Sequence, residues 1–147
     1  MTLEDKSVAS PGRADAGADG AGAQGEAVTD PSVFSLRSSI EGSALVLTVA
    51  GDVDLATAPE LNQAIELVPS TVALVVVELT AVTFLDSSGI NALLRGQREL
   101  ARRETRFHVV APAGGPVRRV LELMQLTDAL ALADSLAAAL ADDARGG

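Results

Sequence analysis

Apolar and polar residues first fall into a regular pattern near Val33. Phe34-Ser35-Leu36-Arg37-Ser38 alternates as a half-buried strand does, and Glu41-Gly42-Ser43 reads as a turn. Ala44 to Ala50 is apolar, and its short link to the first strand predicts an antiparallel hairpin. After Gly51-Asp52-Val53-Asp54, the string Thr57-Ala58-Pro59-Glu60 predicts a capping box with Pro in the first helical turn. Leu61, Ile65 and Val68 keep helical spacing until Pro69-Ser70 ends the element. Val72 to Leu79 is an almost unbroken aliphatic run, as expected of a central strand covered on both faces.

The second half repeats the alternation of strand and helix. From Asp86-Ser87-Ser88-Gly89, the residues Ile90, Leu93, Leu94, Gln97, Leu100 and Ala101 mark a helix. A strand is predicted at Arg106–Val110, a helix at Pro116–Met124, a short strand at Ala129–Leu132 and a last helix at Asp134–Asp142. The pattern predicts an α/β fold: a small mixed, mostly parallel sheet of four to five strands with about four helices.

Residues 1–31 are rich in Ala, Gly and Asp and sustain no apolar periodicity, so burial cannot offset their ordering entropy. A disordered tail over 1–31 and a single domain over 32–145 are expected. Neither a signal segment nor the roughly 18 continuous apolar residues of a membrane helix is present, which predicts a cytoplasmic protein.

Composition narrows the chemistry. The aromatics are Phe34, Phe84 and Phe107, with no Trp or Tyr, which argues against stacking platforms for single-stranded nucleic acid. A formal charge of −9 opposes nucleic acid and anionic membranes and favours a protein partner. Seven of the eleven basic residues (Arg95, Arg98, Arg102, Arg103, Arg106, Arg118 and Arg119) lie within 95–119, either as a docking face or as a solvated helix coat. Without cysteine there is no thiol catalysis, disulfide or Cys-bound metal. No metal-ligand cluster or phosphate loop is recognisable, so neither catalytic residues, a metal site nor a cofactor is assigned. His108, inside a predicted strand, reads as a packed or edge-strand residue rather than a base.

Two strand-to-helix turns, 51–57 and 83–89, occupy the positions where α/β sheets gather their sites. In the second, a buried strand is expected to deliver Phe84 and Leu85 into the core before Asp86 or Ser87 serves as N-cap, and capping alone does not need two serines. A hydroxyl here is presented on a rigid element. A phosphate on it would lie by helix amides and the positive end of the dipole, partly compensating about −1.5 to −2 charges. Nucleophilic catalysis fits poorly, because the G-x-S-x-G elbow is missing.

The strings VVVELTAVTFLDSSGINALL, VAGDVDLATAPEL and PAGGPVRRVLELMQLTDAL together resemble the STAS domain of bacterial anti-sigma factor antagonists. The resemblance covers about positions 33–143 and implies the STAS fold. It implies phosphorylation of Ser87 by an anti-sigma factor that is also a serine kinase. On that resemblance the unphosphorylated protein is expected to bind that kinase so that a sigma factor is released, with a PP2C-type phosphatase restoring the free serine. It also implies a partner-binding surface of Asp54, Asp86, Ser87, Ser88 and Gly89, and no enzymatic activity. The alternative is a STAS domain serving as a small-molecule sensor or transport-assembly subunit. Asn91 stands where many members have Gly, which bears on the choice of partner. Gln125 replaces the glycine of LELTGL, so a remodelled turn is expected there.

Overall fold

The computed structural model describes residues 30–146. The tail expected over 1–31 therefore lies almost wholly outside the described residues. The elements are β1 (Ser35–Glu41), β2 (Ala44–Val53), α1 (Ala58–Glu66), β3 (Leu74–Leu85), α2 (Ser87–Arg102), β4 (Arg106–Val110), α3 (Pro116–Leu123), β5 (Leu132–Ala133) and α4 (Leu136–Gly146).

Among the described residues the five strands form one sheet in the order β1-β2-β3-β4-β5. β1 and β2 make the antiparallel hairpin, with Ser38 opposite Leu47, and every other pairing is parallel. β3 is the middle strand, as its apolar run predicts. Successive residues there serve two cores. Val75, Val77 and Leu79 face Leu61 and Ile65 of α1, Leu93 and Leu100 of α2, and Leu121 of α3. Leu74 and Val76 face α4 through Leu136, Ala139 and Leu140. With both faces dry, each such side chain contributes about 1.5–3 kcal/mol by burial.

Several boundaries depart from the sequence expectation. β1 begins at Ser35 and runs on to Glu41 because pairing with β2 continues through Glu41 and Ala44. β2 extends to Val53 and β3 to Leu85, six residues past the expected end at Leu79. The β2–β3 register shifts between Thr48 and Ala50 and again between Gly51 and Asp52. Those irregularities break the alternation that would have marked the strand. The strand expected at Ala129–Leu132 is instead a turn followed by a two-residue strand. Ala131 has φ of 49°, and the Leu132 amide donates to the Thr127 carbonyl. The last helix begins at Leu136, where Ser135 Oγ accepts from the Ala138 amide.

Gln125 does not remodel its turn. It takes φ of 59°, its amide donates to the Glu122 carbonyl at 3.0 Å, and the Leu126 amide donates to Leu121 at 2.9 Å. This is the backbone closure that glycine usually makes, held by the buried Leu121 beneath it. Glu104 closes α2 the same way, with φ of 61°. The backbone strain is tolerated because both closures satisfy carbonyls at a helix end. Gln125→Gly and Glu104→Gly are each expected to raise stability by up to about 1 kcal/mol, read as a later urea midpoint with an unchanged slope.

The basic segment divides by role. The Arg103 guanidinium donates to the Val68 and Glu66 carbonyls, tying the end of α2 to the end of α1. Arg102 and Arg103 flank Glu99 and hold its carboxyl below the usual carboxylate range. Arg118 bonds the Ala111 carbonyl and pairs with Glu122 and Asp134. Arg103 and Arg118 are thus structural fasteners rather than a docking face.

Candidate functional site

The two turns singled out in the sequence emerge side by side. β2 and β3 run parallel, so their C-terminal ends share one edge of the sheet, and the Asp86 amide donates to the Val53 carbonyl at 3.2 Å. That bond joins the residue before Asp54 to the residue before Ser87.

The β2 turn is built by its own polar side chains. Asp54 Oδ1 accepts from the amides of Ala56 and Thr57, and the Thr57 hydroxyl donates to the Asp52 carbonyl while accepting from the Asp54 amide. The capping box expected from Thr57 and Glu60 does not form. Thr57 Oγ1 is already engaged by residues 52–54, Pro59 has no amide to offer, and the Glu60 amide goes to the Thr57 carbonyl. Asp54 is half-buried and fixed from below, and Leu55 beside it stands in solvent. Thr57→Val keeps the shape and removes the hydroxyl from this knot. It is expected to cost about 1–2 kcal/mol, measurable as a drop in the urea midpoint.

At the β3 turn the N-cap is Asp86. Its Oδ1 accepts from the Ser88 amide at 2.8 Å and the Gly89 amide at 3.2 Å. Among the described residues no hydrogen bond engages the Ser87 hydroxyl, which lies exposed at the first helical position, whereas Ser88 is half-buried. The amides expected to compensate a phosphate are therefore already held by Asp86, and the helix dipole is what remains for it. Gly89 is buried. A Cβ there would lie 2.5 Å from Leu85 Cδ1 and 2.9 Å from Val53 Cγ1, so glycine allows the helix to start directly against both strand ends. It positions the surface without presenting a side chain to it.

Thr83 was not singled out in the sequence, and Phe84, expected from the sequence to enter the core with Leu85, stays outside because the β2–β3 register shifts just before it. Thr83 Oγ1 donates to Asp52 Oδ1 at 2.6 Å, bridging the strand ends, and Phe84 is exposed beside them. Neither carries a local motif; register pairing of Asp52 with Phe84 is what brings them to the site. His108 lies on β4, half-buried, with Nδ1 3.0 Å from the Ala131 carbonyl, away from both turns. Among the described residues no cluster of His, Cys, Asp or Glu could hold a metal, and no helix is long and apolar enough to cross a membrane.

The family profile described as Mlab, STAS domain matches residues 36–136, from β1 to the start of α4 and through both turns. This chain belongs to the STAS-domain family of anti-sigma factor antagonists. It is 38% identical over 103 residues to the anti-sigma-F factor antagonist RsfB of Mycobacterium tuberculosis, spanning 69% of this chain and 82% of that protein. An anti-sigma factor antagonist from Mycobacterium paratuberculosis superimposes with a TM-score of 0.70 at 33% identity, over 78% of this chain and 97% of the other. The phosphorylated form of the Bacillus cell fate determinant SpoIIAA shares the STAS fold, with a TM-score of 0.56 at 18% identity over 76% and 99% of the two chains.

Proposed function

We propose that this STAS domain is an anti-sigma factor antagonist whose binding is switched off by phosphorylation of Ser87. The observation that carries the reading is the division of labour at the head of α2. Asp86 alone caps the helix, so the Ser87 hydroxyl is exposed and unengaged on a rigid element. A structural cap does not need that second oxygen.

In the unphosphorylated state the edge formed by Asp54, Asp86, Ser87 and Ser88 docks against an anti-sigma factor serine kinase, which then releases its sigma factor. The kinase transfers the γ-phosphoryl group of ATP to Ser87 Oγ, with ADP leaving and the serine proton passing to solvent. The product carries about −1.5 to −2 charges beside Asp86, where like-charge repulsion and desolvation oppose re-association. A PP2C-type phosphatase restores the serine by hydrolysis. The domain itself supplies the acceptor hydroxyl and no catalytic group.

The test begins with the Ser87→Ala chain as bait. It is expected to retain an ATPase-type anti-sigma factor, and the unphosphorylated chain is expected to displace sigma from the purified anti-sigma–sigma complex. Retention of transport subunits only, with no displacement of sigma, would overturn the reading.

A further inference from the structure

Two large apolar side chains stand in solvent at the edge of the sheet that carries Ser87: Leu55 is 78% exposed and Phe84 52%. Neither belongs to a loose segment. Leu55 sits in the turn knitted by Asp54 and Thr57, and Phe84 lies inside β3, paired in register with Asp52. The shifts in the β2–β3 register let Val82 and Leu85 both face the core while Thr83 and Phe84 both face outward. A regularly alternating strand would have directed one of those two inward. The fold thus holds a phenylalanine in water on a well-defined strand, against the tendency that builds its core.

In the two chain segments that carry them the charge has one sign. Residues 50–60 and 80–92 contain Asp52, Asp54, Glu60 and Asp86, and no Lys, Arg or His. We propose that Leu55 and Phe84 are the apolar anchors of a docking surface for a protein partner that presents apolar pockets rimmed by Arg and Lys. This deepens, and rests on, the reading of the chain as an anti-sigma factor antagonist, and the anti-sigma factor is the occupant.

Charge complementarity selects that occupant. A second copy of this chain docking through the same patch would bring Asp52, Asp54 and Asp86 against their own counterparts. Nucleic acid and anionic lipid are repelled by the same carboxylates. On a basic partner, the carboxylates steer the approach and the two anchors, once desolvated, slow departure. A phosphate on Ser87 then adds negative charge next to Asp86, on the segment that carries Phe84.

The experiment measures binding of the full chain to the purified anti-sigma factor that Ser87→Ala retains, at about 0.05 M and about 0.5 M salt to separate screened from unscreened terms. Leu55→Ser and Phe84→Ser are each expected to weaken affinity at least about tenfold, mainly through faster dissociation and equally at both salts. Asp54→Asn is expected to slow association at low salt and to have little effect at high salt. Leu55→Ser should leave the melting temperature unchanged and Phe84→Ser, at a residue 52% exposed, should lower it by no more than about five degrees, which separates lost docking from lost fold. Binding within twofold of the parent for both serine variants would overturn the docking surface while leaving the antagonist reading intact. A parent dimer that either serine variant dissolves would give the patch to a second copy and overturn the proposal. Failure of the unsubstituted and Ser87→Ala chains to bind any anti-sigma factor would bring down the antagonist reading itself.

Discussion

Ser87→Asp is expected to weaken binding to the anti-sigma factor by about a hundredfold or more, nearly 3 kcal/mol, while Ser87→Ala binds as tightly as the parent. The two substitutions separate because neither touches the cap: Asp86 supplies it to the Ser88 and Gly89 amides. Alanine at the first helical position therefore leaves the fold within about 0.5 kcal/mol of the parent and cannot be phosphorylated. Aspartate brings a carboxylate next to Asp86 and close to Asp54, across a junction held by the Asp86–Val53 backbone bond. In the free domain that charge stays solvated and gains from the helix dipole, so circular dichroism should show a native fold. In a close contact it must be desolvated among like charges, and affinity falls. Equal affinities for the two variants, measured by titration calorimetry, would remove the electrostatic basis of the switch.

Gly51→Ala is expected to be the most damaging single-methyl change in the domain. Gly51 has φ of 84°, a left-handed conformation that a β-carbon disfavours by about 1–2 kcal/mol. A Cβ there would also lie 2.2 Å from the Val33 carbonyl oxygen and 2.7 Å from the Phe34 nitrogen. Those atoms are backbone leading into β1, tied in place by the bond from the Asp52 amide to the Ser32 carbonyl. No side-chain rotation relieves the clash; the strand entry must move or Gly51 must leave its conformation. The combined cost is expected to exceed about 3 kcal/mol, a fall in melting temperature of more than about 10 °C for a domain of this size. The displacement would start one residue before Asp52, so the partner surface should suffer with the fold. A melting temperature within two or three degrees of the parent would refute the close approach.

The strong periodic elements were legible because burial imposes them. The run Val75–Val77 reads as a central strand since both faces are covered, and Arg106–Val110 appears with its expected bounds. Where the sequence misled, side chains or register had taken over from periodicity. Thr57 looks like a cap and is spent on the Asp52 and Asp54 backbone instead. The strand expected to end at Leu79 runs on to Leu85, and because its pairing with β2 slips there the alternation is lost and Phe84 stays outside the core while Leu85 enters it. Gln125 looks like a broken turn, yet the Glu122 and Leu121 carbonyls hold it in the left-handed conformation.

The candidate site was only partly legible for the same reason. Its motif residues announce themselves as a cap beside a spare hydroxyl, and the structure decides which is which by giving the amides to Asp86. Leu55 and Phe84 have no motif, being recognisable only once the sheet places two strand ends together and leaves both side chains in solvent. The arginine-rich segment shows the converse, since its charge suggests a surface while Arg103 and Arg118 are consumed by backbone carbonyls.

Modification of Ser87 itself is read out by phosphosite mapping. The full chain is incubated with ATP, magnesium and the anti-sigma factor it binds, then digested and sequenced by mass spectrometry. One phosphate on Ser87, absent from the Ser87→Ala chain, is the predicted result, with the phosphorylated chain no longer retained by the anti-sigma factor. Phosphate on Ser88 alone, or on neither serine while the partner is bound, would contradict the account.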